Sequence, residues 1–221
     1  MMIQDLCPRL ILFTAIASIA ACANTSRSRD LANAEVSGQT LAQQVCSNCH
    51  GVGGIAVSPN FPNLAAQQKQ YFVAQLAEFK SHHREDPAGF EYMWGIVRTL
   101  TDKQIEELAD YFAAQQPMVA AREGDPTALE SGRVIFLQGI PALGVPACAT
   151  CHGENGAGKG PYPRLAGQHV DYLVKQLSVF QRTNERPAGA VMKVVAHQLT
   201  HADIRAVSVY AQSLAPGLGV P

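Results

Sequence analysis

The chain repeats itself around a five-residue signature. "VCSNCH" sets Cys46, Cys49 and His50 in the pattern C-x-x-C-H, and "PACATCH" sets Cys148, Cys151 and His152 in the same pattern. The likeness continues downstream, where "FPNLAAQQKQYFVAQLAEF" answers "YPRLAGQHVDYLVKQLSVF". Further on, "PAGFEYMWGIVRTLTDKQIEELADYFA" answers "PAGAVMKVVAHQLTHADIRAVSVYA", aligning Met93 with Met192, Leu100 with Leu199 and Tyr111 with Tyr210. A tandem duplication restricts the fold to two copies of one small domain, each of about ninety residues.

The signature limits the chemistry. Two cysteines three apart can form a redox disulfide, supply half of a zinc site, or add across the two vinyl groups of a haem. The histidine that follows immediately favours haem, because it is placed to ligate the iron. A thioredoxin-like pair needs no such neighbour, and a zinc site built from the four cysteines would leave both histidines without a role. Two haem c groups are therefore expected, held covalently by Cys46 and Cys49 and by Cys148 and Cys151, with His50 and His152 as axial ligands.

Helical periodicity fills out each unit. Tyr71, Phe72, Gln75, Leu76 and Phe79 recur at helix spacing, as do Tyr172, Leu173, Gln176, Leu177 and Phe180, and both stripes read as helix core. A helix precedes each signature, although "IPALGVP" intervenes in the second copy, and a last helix opens at Thr101 or Thr200 as N-cap. The expected fold is all-α: two tandem domains, each a few helices wrapped around one covalently bound haem c. The expected divisions are an export signal over 1–21, a flexible tether over 22–36, a first domain over 37–116, a linker over 117–127 and a second domain over 128–216. Pro117, Gly124 and Pro126 mark that linker.

The iron needs a ligand opposite each histidine. Met192 is the sole methionine of the second repeat; it follows His152 by 40 residues, as Met93 follows His50 by 43. A lone methionine is usually core filler, but recurrence between a "PAG" turn and the capped last helix points to axial thioethers, which favour the reduced iron. Met118 has no counterpart and reads as packing or surface. His82, His83 and His197 read as solvated, and Arg98 stands where His197 would need a partner; His169 and His201 are the other histidines. Pro62 and Pro163 follow the two histidines at similar distances, and a carbonyl on that turn is a candidate acceptor for the second imidazole N–H, a loop-forming role being the alternative. Arg84 and Arg186, before the "PAG" turns, are candidates for haem propionates or for solvated surface.

At the N-terminus, "CPRLILFTAIASIAACANTS" has a basic residue, a short apolar run and small residues, the layout of an export signal. "ACA" suits ordinary signal peptidase, whereas "IAAC" resembles a lipobox with Cys22 as the acylated first residue; the lipobox is favoured. Covalent haem attachment also belongs outside the bacterial inner membrane, so the periplasm is expected, with possible membrane attachment through Cys22. The net charge of -1 and the lack of a basic run argue against nucleic acid. An aromatic content of 7% suits compact helices packed on a large prosthetic group.

Together these stretches closely resemble the diheme cytochrome c4 family, with "GVPACATCHGENGAGKGPYPRLAGQ" and "YLVKQLSVF" the most specific. The first repeat departs from it in "GVGGIAVSPNFPNLAAQ", which lacks the usual acidic residue and later glycines after the signature. The resemblance implies two class I domains packed face to face, His/Met ligation, haem edges close across the interface, and a shuttle between respiratory complexes and terminal oxidases. The expected function is a monomeric electron carrier with redox proteins as partners. Two alternatives remain: a diheme enzyme of peroxidase or thiosulfate-oxidising type, and a cytochrome subunit of a dehydrogenase complex.

Overall fold

The structure, a computed structural model, describes residues 27–119, 125–182 and 184–214. The export signal and Cys22 lie outside the described residues. Among those described, the regular structure is helical, with only two isolated bridges, Ile140 to Val145 and Lys159 to Tyr162.

In the first domain, α1 (Gly38–Leu41) runs through a π-helical turn (Ala42–Cys46) into α2 (Ser47–His50). Then come α3 (Lys69–Lys80), a second π-helical turn (Gly89–Met93), α4 (Trp94–Val97) and α5 (Asp102–Ala113). The second domain follows the same course with α6 (Pro126–Gln138), α7 (Ala149–His152), α8 (Val170–Arg182), α9 (Ala190–Ala196) and α10 (His201–Ser213). The "IPALGVP" insertion accounts for the main difference. Gly139, at φ 72, ends α6; the Ile140–Val145 bridge closes the insertion, and the second signature starts afresh on α7.

Local chemistry sets the helix starts. Thr101 and Thr200 each accept a hydrogen bond from the backbone three residues on, and Gln104 and Asp203 return it, which makes a capping box at the head of α5 and of α10. Asp125 caps α6, with Pro126 in the first helical position. The expected linker thus ends earlier than 127, because Pro126 already belongs to a helix.

The expected tether over 22–36 needs correction at its C-terminal end. Gln104 donates to the carbonyls of Asn33 and Val36 at 3.0 and 2.8 Å, Thr99 donates to that of Leu31, and Leu31 and Val36 pack on the first core. The cause is a buried glutamine whose amide needs acceptors, and the chain entering α1 supplies them. The methionine segments are also more regular than expected, since α4 and α9 add a helical piece to the three foreseen in each unit.

Each domain closes where its first helix crosses its last. A Cβ built on Gly38 would lie 2.5 Å from the Glu107 Cβ, and one on Gly132 would lie 2.1 Å from the Ala206 carbonyl oxygen. Only glycine lets these backbones approach so closely. Around the crossings lie two separate cores, one of Leu41, Phe72, Leu76, Leu108 and Phe112 among others, the other including Ile135, Phe136, Leu173, Ile204 and Val207.

Candidate functional site: two histidine sites and the interface between them

Each signature ends its helix on a glycine, Gly51 at φ 74 or Gly153 at φ 79, which turns the chain into a loop. The loop closes in the same way twice. The Gly54 carbonyl accepts from the N–H groups of Leu64 and Ala65, and the Gly156 carbonyl accepts from those of Leu165 and Ala166. The glycines missing from the first repeat change the course of the loop, which lacks the Lys159–Tyr162 bridge of the second, but not its closure; Ala66 even adopts a left-handed φ of 54, where the second repeat has Gly167 at φ 72.

This closure carries a proline beneath each histidine. His50 Nδ1 donates to the Pro62 carbonyl and His152 Nδ1 to the Pro163 carbonyl, both at 2.9 Å. Nδ1 is thereby the protonated nitrogen and Nε2 keeps its lone pair, the form a metal-ligating imidazole needs. Both rings are buried, and burial pulls both imidazoles below their ordinary pKa against the opposing effect of the proline carbonyl. Phe61 and Tyr162 stand edge-on to them, with centroids 6.1 and 6.3 Å away.

Cys46 ends the first π-helical turn, Cys49 and His50 lie on α2, and Cys148 precedes Cys151 and His152 on α7. The four cysteines are unpaired. Burial pushes the Cys46 and Cys148 thiols up to about 11, so both are protonated at neutral pH. Among the described residues no three His, Cys, Asp or Glu side chains converge on a site for a free metal ion such as zinc. Met93 ends the second π-helical turn and packs partly buried on the first core; Met192 lies partly buried on α9.

The residues that the sequence reading did not single out lie between the domains, and they come in aligned pairs. Gln168 Oε1 accepts from the Asn63 N–H at 2.8 Å while Gln168 Nε2 donates to the Asn63 carbonyl at 3.0 Å. Reciprocally, Gln67 Oε1 accepts from the Arg164 N–H at 2.7 Å and Gln67 Nε2 donates to the Arg164 carbonyl at 3.2 Å. One position on, Gln68 donates to the Ala157 carbonyl and His169 Nε2 to that of Ala56, both at 2.9 Å. His169 is thus a buried contact between the domains. Met118 joins them too, its sulfur accepting from Asn63 Nδ2 at 3.1 Å.

Arg84 and Arg186 meet in this interface, which rules out the solvated reading of both. Arg84 lies on the Phe79 ring and Arg186 on the Phe180 ring. Arg84 donates to Asp86 at 2.7 Å and to Gln75 at 2.6 Å, and reaches Gln176 of the other domain. Arg186 donates to Gln176, Gln75 and Tyr71. The glutamines of the two stripes therefore face the other domain, not a helix core. Burial is the largest single influence on Asp86 and opposes its ionisation, but the Arg84 and Arg186 guanidiniums and a hydrogen bond from Gln176 together hold the carboxyl below its usual range.

The buried charges do not cancel. Arg84 is paired with Asp86, Arg186 hydrogen-bonds only neutral side chains among the described residues, and Arg164 is buried with its Nη2 unpartnered and its ionisation lowered by burial. Buried cations call for anions. A haem brings two propionates, so the site's unmatched charge has the sign that group would complete.

Residues 36–115 and 130–215 each match the cytochrome c family, so fold and signature define a c-type cytochrome built of two such domains. Cytochrome c4 of Azotobacter vinelandii is 39% identical over 180 residues, covering 77% of this chain and 84% of its own. Cytochrome c-552 of Acidithiobacillus ferridurans is 36% identical over 205 residues, covering 92% and 86%. The crystal structure of reduced recombinant cytochrome c4 from Pseudomonas stutzeri matches with a TM-score of 0.71 at 38% identity, covering 82% of this chain and 98% of that one. The chain belongs to the diheme cytochrome c4 family. It carries two haem c groups and is a diheme electron carrier.

Proposed function

We propose that this chain is a monomeric periplasmic carrier that passes single electrons from respiratory-chain donors to a terminal oxidase, without catalysing a reaction of its own. Each bound haem c supplies a one-electron iron couple. Cys46 and Cys49 hold the first haem and Cys148 and Cys151 the second, through thioethers. His50 with Met93, and His152 with Met192, would ligate the two irons, while Arg84, Arg186 and Arg164 would supply positive charge to the propionates. The observation that carries this reading is the repetition of one arrangement: in both domains a buried imidazole is tied through Nδ1 to a proline carbonyl and offers Nε2. A peroxidase would need one domain built differently, with an iron that can open a coordination position. A methionine in the aligned place of both repeats favours two closed sites.

The test is ligand replacement. Met93→Ala or Met192→Ala should each remove about half of the weak far-red sulfur-to-iron band of the oxidised protein, lower one of two reduction potentials and create a site for cyanide. Met118→Ala should do none of these. Rapid carbon monoxide binding at one reduced haem of the unaltered protein would put the enzyme reading first. For the N-terminus we propose a lipidated Cys22, since two acyl chains suffice for stable anchoring where one is marginal. Mass spectrometry of the mature protein decides, and a chain starting at Asn24 without lipid refutes it.

A further inference from the structure

We propose that Gln67 and Gln168 are positioning residues acting across the domain boundary, each setting the electron-donating strength of the axial histidine in the opposite domain. The proposal rests on His50 and His152 being the iron ligands. Its basis is a single peptide group that appears in two bonds at once. The Pro62–Asn63 peptide accepts His50 Nδ1–H on its oxygen at 2.9 Å and donates its N–H to Gln168 Oε1 at 2.8 Å. The Pro163–Arg164 peptide accepts His152 Nδ1–H at 2.9 Å and donates to Gln67 Oε1 at 2.7 Å.

An amide whose N–H is engaged carries more negative charge on its oxygen, so the two bonds strengthen one another. Gln168 therefore makes the Pro62 oxygen a better acceptor, the His50 Nδ1–H bond tightens, and the imidazole becomes a stronger donor at Nε2. A stronger donor favours the oxidised iron. Asn63, Gln67, Arg164 and Gln168 are all at most 8% exposed, so water competes little for these bonds. Neither glutamine is free to flip. Gln168 Oε1 also accepts from the His169 N–H at 3.0 Å and Gln67 Oε1 from the Gln68 N–H at 2.9 Å, which keeps oxygen, not nitrogen, against the peptide N–H.

The arrangement has a crossed signature. A substitution in one domain should move the haem of the other. In the haem-loaded protein, Gln168→Leu should raise the potential of the first haem and Gln67→Leu that of the second. Each should change the oxidised-to-reduced ratio at fixed potential by about two- to tenfold, tenfold being 59 mV for one electron. Gln68→Ala serves as the control, because it removes the Gln68 Nε2 hydrogen bonds to the Ala157 and Gly158 carbonyls from the same interface without touching either peptide. It should leave both potentials in place.

Potentials also respond to loosening of the interface, so a second measurement reads the bond itself. In the reduced, diamagnetic protein the Nδ1 proton resonance of His50 should move upfield in Gln168→Leu and stay in place in Gln68→Ala. The ring-current shift of the His50 carbon-bound protons in the unaltered protein establishes ligation separately, which distinguishes a failed relay from a wrong ligand assignment. A crossed shift in potential together with the moved resonance supports the relay. Equal shifts of both haems in Gln168→Leu, a shift confined to the haem of the substituted domain, or an unmoved His50 resonance overturns it.

Discussion

Asp86→Asn tests how the interface holds its charge. Asp86 is fully buried and lies 2.7 Å from Arg84, and its removal leaves Arg84 and Arg186 buried with only neutral side-chain partners among the described residues. Breaking a buried pair by removing one partner costs about 3–5 kcal/mol, because the remaining charge is stranded. Arg84 also keeps the Gln75 oxygen, the Phe79 face and, on the proposed function, the negative charge of a haem propionate, which places the expected loss at the lower end or below it. The pH dependence has a definite sign. The Asp86 carboxyl lies below its usual range in the folded chain, so its contribution is complete above the unfolded value of about 4 and disappears as pH falls through the lower folded value. Urea unfolding of the haem-loaded protein, followed by circular dichroism, should show a gap between the unaltered chain and Asp86→Asn that is constant from pH 7 to about 5. Below about pH 4 the gap should narrow. A loss under about 1 kcal/mol at pH 7, or a gap that widens on acidification, would refute the reasoning.

Two other perturbations probe the crossing and the long-range field. Gly132→Ala gains about 1 kcal/mol of helix propensity but drives a Cβ against the Ala206 carbonyl oxygen, so thermal unfolding should show a net loss of about 1–2 kcal/mol, with neither haem potential changed. Residues 34–120 hold five Lys and Arg against nine Asp and Glu, a balance of -4, whereas 121–221 hold nine against seven, a balance of +2. Electron-transfer rates with a charged redox partner should therefore fall as salt is added, and stopped-flow rates independent of ionic strength would count against steering.

What the sequence makes legible here is local or repeated. The signatures lie within five residues, the capping boxes within four, and the duplication announces itself because aligned stretches share apolar spacing. Pro62 and Pro163 stand out for the same reason. The interface was hidden because a helical stripe shows which residues share a face, not what that face meets. Gln75 and Gln176 sit on apolar stripes and read as core, yet their partners are Arg84 and Arg186 on both sides of the boundary. His169 offered no pattern of its own, since its counterpart is Gln68 and only the donated hydrogen bond is shared. A usable signal was present: glutamines at 67 and 168, and again at 75 and 176, recur in both repeats where leucine or alanine would satisfy periodicity. The π-helical turns ending at Cys46 and Met93 left no such trace. Nothing in "AQQVC" or "GFEYM" sets them apart from ordinary helix.

Duplication explains more than the count of haems. A single domain of this kind would leave the Asn63 or Arg164 peptide, with its N–H and carbonyl, open to water on the far side of the proline that holds its histidine. A second copy brings a glutamine to that peptide and receives one in return, so both clamps arise from one sequence position used twice. The symmetry is then broken at a few places, each of them charged or titratable on one side only. Asn63 stands opposite Arg164 and Gln68 opposite His169. The paired backbone contacts hold two similar domains in one geometry. The unpaired side chains give the two sites different electrostatic surroundings. On the proposed function, an electron crossing the interface would leave one site and arrive at another that is built on the same frame but differently charged, as a carrier with separate receiving and delivering ends would require.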